Sequence, residues 1–274
     1  MDNPIKILSL GAGVQSSTIF LMSCFGEIEK IDAAMFADTG WEPRAVYEWL
    51  KFLKKEGLRY GVPIYEVSQG NLKNDALVSQ VRGVKAAGKR WASLPFFTLG
   101  PSGERGMIRR QCTYEYKIRP LQKKQRELAG YKPRQRIPAG TVELWKGISL
   151  DEIKRAVMSR DKWVENYYPL IELRMTRHDC LLWFEKKGLP RPPRSSCIGC
   201  PYHHNNEWRQ MRDNYPDEWQ EAVAFDKAIR KCGGMRGDVF IHADRVPLDE
   251  VDLSTPEERG QLNWLDECVG VCGV

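Results

Sequence analysis

Two sets of residues in this chain have the types and spacing to do chemistry. The first is LSLGAGVQSS at residues 8–17. Gly11 and Gly13 permit close backbone approach, and Ser9, Ser16 and Ser17 add hydroxyl donors beside the free N–H groups of a helix start. The loop lacks the Lys of a Walker loop and the third glycine of a dinucleotide fingerprint. Any tight strand-to-helix turn would also be built from small residues. FADTG follows at residues 36–40 and places Asp38 and Thr39 at the end of the next strand pattern. A carboxylate there accepts from ribose hydroxyls or an adenine amino group; the plainer role is a cap for the helix that begins near Pro43.

The second set is the cysteines, eight in a chain of 274 residues. The N-terminus moves straight into a strand pattern without the regions of a signal peptide, so a reducing, cytoplasmic setting is expected, and with it metal binding or redox chemistry rather than disulfides. Cys197 and Cys200 form a C-x-x-C in SSCIGCPYHH, and Cys112 lies upstream in RRQCTYEYKIRPLQKK. Thiolates at this spacing suit an iron–sulfur cluster or zinc. A zinc knuckle using His203 or His204 and a simple redox dithiol are the alternatives. Cys232, Cys268 and Cys272 are further candidates, whereas Cys24 and Cys180 sit in apolar helical patterns and read as core.

The elements that must position these groups alternate. IKILSL, IDAAMFAD and VPIYEV read as buried strands, with STIFLMSCFGEIEK and PRAVYEWLKFLKKEG as the intervening helices; Val46, Trp49, Leu50 and Leu53 fall at helical spacing. Such alternation predicts an α/β fold, a parallel sheet with helices on both faces. TVELWKGIS is a further strand, DEIKRAV a helix start and TLGPSGERG a mobile loop, while Thr176 and Asp179 form a capping pair for a helix that stops at Gly188. PDEWQEAVAFDKAIRKCGG is a late helix. The expected organisation is a single structural unit: a nucleotide-binding core over residues 1–202, including the C-x-x-C, with a helical, cysteine-containing extension over 203–274. With 42% apolar residues the chain buries a sizeable core, and no apolar run is long enough to span a membrane. The net charge of +6 favours polyanionic ligands mildly.

Taken together, S-x-G-x-G-x-x-S at the first strand and F-x-D-T-G at the second resemble the PP-loop superfamily of adenine-nucleotide α-hydrolases, in particular the phosphoadenylyl-sulfate and adenylyl-sulfate reductases. Against that family's S-G-G-x-D-S loop, Gly11, Ala12, Gly13, Val14, Gln15 and Ser16 depart at the first Ser and at the Asp, where Gln15 stands. Cys112, Lys117, Arg119, Pro120 and Leu121 match the reductases' Cys, Lys and Pro-Leu segment, with Thr113 where iron–sulfur members have a second Cys. WKGISLDEIKR resembles the later strand and its loop near the substrate phosphates, and WLDECVGVCGV resembles a C-terminal E-C-G motif interrupted at Val269.

The resemblance implies a Rossmann-like fold and an adenine nucleotide or sulfonucleotide held by Ser9, Gly11, Gly13, Gln15, Ser16, Ser17, Asp38, Thr39, Gly147 and Ser149. Lys117 and Arg119 would neutralise charge and Cys268 would attack sulfur, with a thioredoxin-like reductant to resolve it. Cys112, Cys197, Cys200 and Cys272 would hold a 4Fe-4S cluster, with zinc as the alternative. Iron–sulfur members that thiolate tRNA or DNA offer a second activity, for which the basic segment from Arg82 to Arg126, interleaved with Trp91, Phe96, Phe97, Tyr114 and Tyr116, would meet nucleic acid. A zinc-stabilised nucleotide-binding module without turnover is the third.

Overall fold

A computed structural model describes residues 3–78, 94–231, 237–255 and 258. Cys232, Cys268 and Cys272, and the part of the basic segment that contains Arg82 and Trp91, lie outside the described residues. In chain order the elements begin β1 (Ile5–Ser9), α1 (Val14–Cys24), β2 (Ala33–Asp38), α2 (Arg44–Tyr60), β3 (Ile64–Ser68) and α3 (Leu72–Val78). Then come β4 (Phe97–Leu99), β5 (Arg105–Met107), α4 (Arg119–Leu128), β6 (Val142–Lys146), β7 (Val164–Tyr167), α5 (Pro169–Glu172) and α6 (Arg177–Lys186). The last are α7 (Asn205–Asn214), α8 (Pro216–Ile229) and β8 (Asp238–Phe240). They form two compact units, Met1–Gln69 with Tyr114–Ser195, and Gly70–Thr113 with Ser196–Val274.

The first unit is the expected α/β fold. Its five-stranded sheet has the order β3-β2-β1-β6-β7, and every adjacent pair is parallel. Alternation along the strands sends Leu8, Ala34, Phe36 and Trp145 into the core shared with α1, α2 and α6. The opposite face carries Ile7, Met35, Val142 and Leu144 against Leu121 and Leu128 of α4. Val46, Trp49, Leu50 and Leu53 of α2 are all buried, as their spacing predicts. The Thr176–Asp179 capping box is formed, and Gly188 takes a left-handed φ of +63° beyond the end of α6. Cys24 and Cys180 are buried; desolvation pushes the thiols up to about 12 and about 11, the behaviour of core residues.

One local expectation in this unit is corrected. DEIKRAV is only a short 3-10 segment over Leu150–Arg155, because Glu152 leaves helical geometry and Ala156 is extended. Immediately before α4, Thr113–Ile118 winds as a π turn. Pro120 explains it: proline has no N–H for the Tyr116 carbonyl, and its ring would clash with that oxygen in an ordinary helix.

In the second unit, TLGPSGERG is a hairpin rather than a loop. β4 and β5 pair antiparallel, the Gly100 N–H donates to the Glu104 carbonyl at 2.8 Å, and Gly103 takes the φ of +87° that the turn requires. β8 pairs with the other edge of β4, which supplies a partner far away in sequence. Helices α7 and α8 pack through Trp208 and Trp219, with Phe225 of α8 against Phe96. Asp226, fully buried on α8, accepts from the backbone N–H groups of Ile241 and Leu248 and pairs with Arg230.

The neighbouring His242 is a titration point. It is buried, Nδ1 accepts from the Asp244 N–H at 3.1 Å, and Nε2 lies 3.0 Å from the Asn205 side-chain oxygen. The contacts require the neutral imidazole. Burial pulls the pKa below 6.5, against the opposing pull of Asp244 and Asp226. Between the lowered value and 6.5 the unfolded chain binds more protons than the folded one, so stability is complete above 6.5 and falls as the pH drops below it. Thermal melts between about pH 7 and pH 5 should show this decline in the native protein and a shallower one in His242→Gln.

Candidate functional site

Open parallel sheets bind ligands outside the carboxyl ends of their strands, where neighbouring connections leave in opposite directions. Here that point lies between β1 and β6: the chain runs from β1 outward to β2 and β3, then returns to place β6 on β1's other side. LSLGAGVQSS leaves β1 at this rim and KGIS leaves β6, with Ser9 and Lys146 in register.

The loop is held by its own residues. Leu10 donates to the Met35 carbonyl, the Gly11 N–H donates to Ser16 Oγ at 3.2 Å, and Ser17 N–H reaches the Gly13 carbonyl at 3.0 Å. Ala12 takes a positive φ of +55°, a strained value for a residue with a side chain. Gly13 is the N-cap of α1, and no side chain caps the helix. The first amides of α1 thus point to the rim without a built-in acceptor, the arrangement that receives an anion.

Glycine is required by packing at Gly147: a Cβ there would lie 2.7 Å from the Ser16 nitrogen. The β6 loop therefore passes directly over the first turn of α1. A Cβ at Gly13 would come 3.0 Å from Ser195 Oγ, so Ser195 covers the glycine loop. Ser195 was not nominated from sequence, and its place in RSSCIGC, ahead of Cys197, was the available signal.

Gln15 occupies the center of a polar network. Its Oε1 accepts from Arg177 Nη1 at 2.8 Å, and its Nε2 lies 3.4 Å from Ser149 Oγ and 3.3 Å from Glu152 Oε2. The amide thus ties α1 to the β6 loop and to α6. Ser149 is fully buried in this network. Ser17 is fully buried too, and its hydroxyl accepts the Trp49 indole N–H at 2.9 Å, which makes it part of the α1–α2 packing.

At the end of β2, Asp38 accepts from the Gly40 N–H and from Tyr47 Oη, both at 2.8 Å. Burial, reinforced by this carboxylate, raises the Tyr47 pKa. Thr39 Oγ1 donates to the buried Glu42 at 2.9 Å, and Lys117 Nζ lies 3.3 Å from the same Glu42 oxygen. Lys117 therefore belongs to this rim, anchored by a carboxylate that sequence reasoning passed over. Arg119, in the first turn of α4, is exposed and bonds none of these residues. Lys146, also missed, ends β6; burial pulls its ammonium below the ordinary 10.5, and among the described residues no carboxylate pairs with it.

The thiols Cys112, Cys197 and Cys200 lie in the second unit. The Cys200 N–H donates to the Cys197 carbonyl at 3.0 Å, closing the C-x-x-C into a turn. The Arg110 guanidinium lies 5.4 Å from the Tyr202 ring centre, which brings the segment just before Cys112 against the segment just after Cys200. His203 is already occupied: Nε2 is 2.9 Å from the Cys197 carbonyl and Nδ1 3.3 Å from Glu207. His204 caps α7. The donor set fits a thiolate-bound centre in its chemistry, with soft sulfur ligands and the His203 ring held by other partners. Among the described residues no group of three or more His, Cys, Asp or Glu converges to hold a metal ion, and Cys272 lies outside them.

The chain is similar in structure to phosphoadenylyl-sulfate reductase from Candida auris in a phosphate complex, with 10% identity over 70% of this chain and 76% of that one and a TM-score of 0.43. It is also similar to the U34-tRNA thiolase NcsA from Methanococcus maripaludis with its 4Fe-4S cluster, with 15% identity over 92% of this chain and 83% of that one and a TM-score of 0.41. No family model and no curated protein matches the chain. Among the described residues no helix is long and apolar enough to cross a membrane. The five-stranded parallel sheet, flanked by helices and carrying a glycine loop at its switch point, is the fold that the sequence resemblance implies.

Proposed function

We propose that this chain is an adenine-nucleotide enzyme of sulfur metabolism, of the phosphoadenylyl- or adenylyl-sulfate reductase type. The observation that carries the reading is the uncapped start of α1 at the switch point, with Gly147 packed against it and Lys146 beside it. Phosphates would accept from the first amides of α1 and be neutralised by Lys146 and Lys117, while Asp38 would meet the ribose or base. Gln15, Ser149 and Ser17 then hold the loop from behind rather than touching phosphate.

Cys268 would attack the sulfate sulfur as a thiolate. A sulfur–sulfur bond forms, the bond from sulfur to the nucleotide oxygen breaks, and that oxygen leaves with the electron pair. A thioredoxin-like dithiol would release sulfite by exchange and be oxidised to the disulfide. Cys112, Cys197, Cys200 and Cys272 would hold a 4Fe-4S cluster, or zinc in its place; a cluster would supply a polarising, sulfur-rich centre for this chemistry.

A second reading, ATP-dependent thiolation of a nucleic acid, is favoured by one observation: Lys123, Lys132 and Arg134 line one cavity without carboxylate partners among the described residues. Anaerobic protein analysed for iron, sulfide and zinc, then assayed with adenylyl sulfates and a dithiol, separates the readings. The reductase reading expects iron, sulfide and sulfite release that Cys268→Ser abolishes. Conversion of ATP to AMP dependent on added nucleic acid, without sulfite, replaces it by the second reading. Zinc with no turnover of either nucleotide leaves only a binding module.

A further inference from the structure

A cavity of about 630 Å³ opens at the C-terminal end of α4, lined by Gln122, Lys123, Arg126, Tyr131, Lys132 and Arg134 among others. It is an open groove, and Lys123, Lys132 and Arg134 are exposed along it. Its walls are built rather than incidental. Arg126 donates to the carbonyls of Lys132 at 3.1 Å and Gln135 at 2.6 Å, and the Gln135 side chain accepts from the Lys132 N–H at 3.0 Å. These bonds fix a turn from Lys132 to Gln135, closed by the Gln135 N–H on the Lys132 carbonyl at 3.2 Å.

Pro133 and Arg134 occupy the central positions of this turn, and Arg134 has a φ of +66°. That is the position of a type II turn where glycine is favoured. An arginine held there, with its backbone in the left-handed region, argues that its side chain is wanted at this spot. The negative end of α4 is closed off by the N–H groups of Ala129, Gly130 and Tyr131, which cap the carbonyls of Gln125, Glu127 and Arg126. The one acidic lining residue, Glu127, is neutralised by Lys124 at 2.6 Å. Three cations, Lys123, Lys132 and Arg134, remain around the cavity without carboxylate partners among the described residues.

We propose that this cavity takes one nucleotide of a single-stranded nucleic acid, the base against Tyr131 and the flanking phosphates on Lys123, Lys132 and Arg134. An open groove lined by exposed cations fits a strand that lies along it better than a small ligand that must be enclosed. An aromatic ring in the wall gives a base a face on which to stack. The site is separate from the sheet rim. It supplies the partner for the thiolation reading, and the binding itself stands on the cavity alone.

The test is fluorescence anisotropy of the full chain with a labelled single-stranded oligonucleotide of about a dozen residues across a salt series. Binding should weaken steeply with salt. Arg134→Gly suits the turn's backbone and so preserves the fold; combined with Lys132→Gln it should lower affinity at least about tenfold and reduce the salt slope by about one to two. Tyr131→Leu should lower affinity about tenfold with the slope retained. Adenine-nucleotide binding, measured separately by calorimetry, should be unchanged in all of these variants, so failure here is distinct from failure at the rim. The proposal is overturned if the native chain does not bind, if the variants keep native affinity, or if polyglutamate of equal charge displaces the strand as well as unlabelled oligonucleotide does.

Discussion

Gly147→Ala should destabilise the first unit by about 1–3 kcal/mol and reduce adenine-nucleotide affinity by more than about tenfold. The new methyl carbon would stand 2.7 Å from the Ser16 nitrogen and 2.9 Å from its Cα, and both are backbone atoms in a helix whose residues are all buried. Neither can swing aside as a side chain would. Relief requires the β6 loop or the start of α1 to move, and the start of α1 carries the amides that would meet phosphate. Gly13→Ala is the control. Its methyl would meet Ser195 Oγ at 3.0 Å, a hydroxyl that can rotate, so it should cost less. Denaturant unfolding and calorimetric nucleotide titration of both variants check this, and equal costs would sink the packing argument.

Gln15→Glu has the second large expected effect, although it changes almost no volume. The native amide nitrogen lies 3.3 Å from a Glu152 oxygen; in the variant a carboxylate oxygen takes that place. Arg177 and the Arg155–Glu152 pair soften the repulsion but cannot supply the lost donor. Leaving acceptors face to face in a partly buried network should cost about 1–3 kcal/mol at neutral pH. One carboxyl of the new pair should have its folded-state pKa raised above the unfolded value, so the folded variant takes up a proton first and the deficit shrinks as the pH falls toward that pKa. Urea midpoints at several pH values will report it. A deficit that stays constant with pH would mean that the two side chains do not face each other.

These effects rest on contacts that the sequence could not display. The strands β1, β2, β3 and β6 and the helix α2 were legible because their apolar residues repeat at spacings set by backbone geometry, and the Thr176 cap because its partner is three residues away. Gln15 meets Arg177 across 162 residues, so no local pattern pairs them. The hairpin in TLGPSGERG was hidden for a related reason: its strands are three residues long and depend on β8. Gly11, Gly13, Asp38, Thr39 and Lys117 were nominated through motif order, and they stand on one rim of one sheet. Ser195 and Lys146 lie inside quoted motifs, RSSCIGC and WKGIS, but their own roles, like that of Glu42, are marked only by what the fold sets beside them.

The strand order also has a consequence for synthesis. β1 lies in the middle of its sheet, yet its neighbor β6 begins at Val142. At ribosomal speeds of about 5–20 residues per second, β1 emerges on the order of ten seconds before the strand that covers its edge. During that interval IKILS presents an open, apolar edge of the kind that recruits other chains. Expression at lower density or with chaperones present should therefore raise the yield of folded protein more than changes near the C-terminus do.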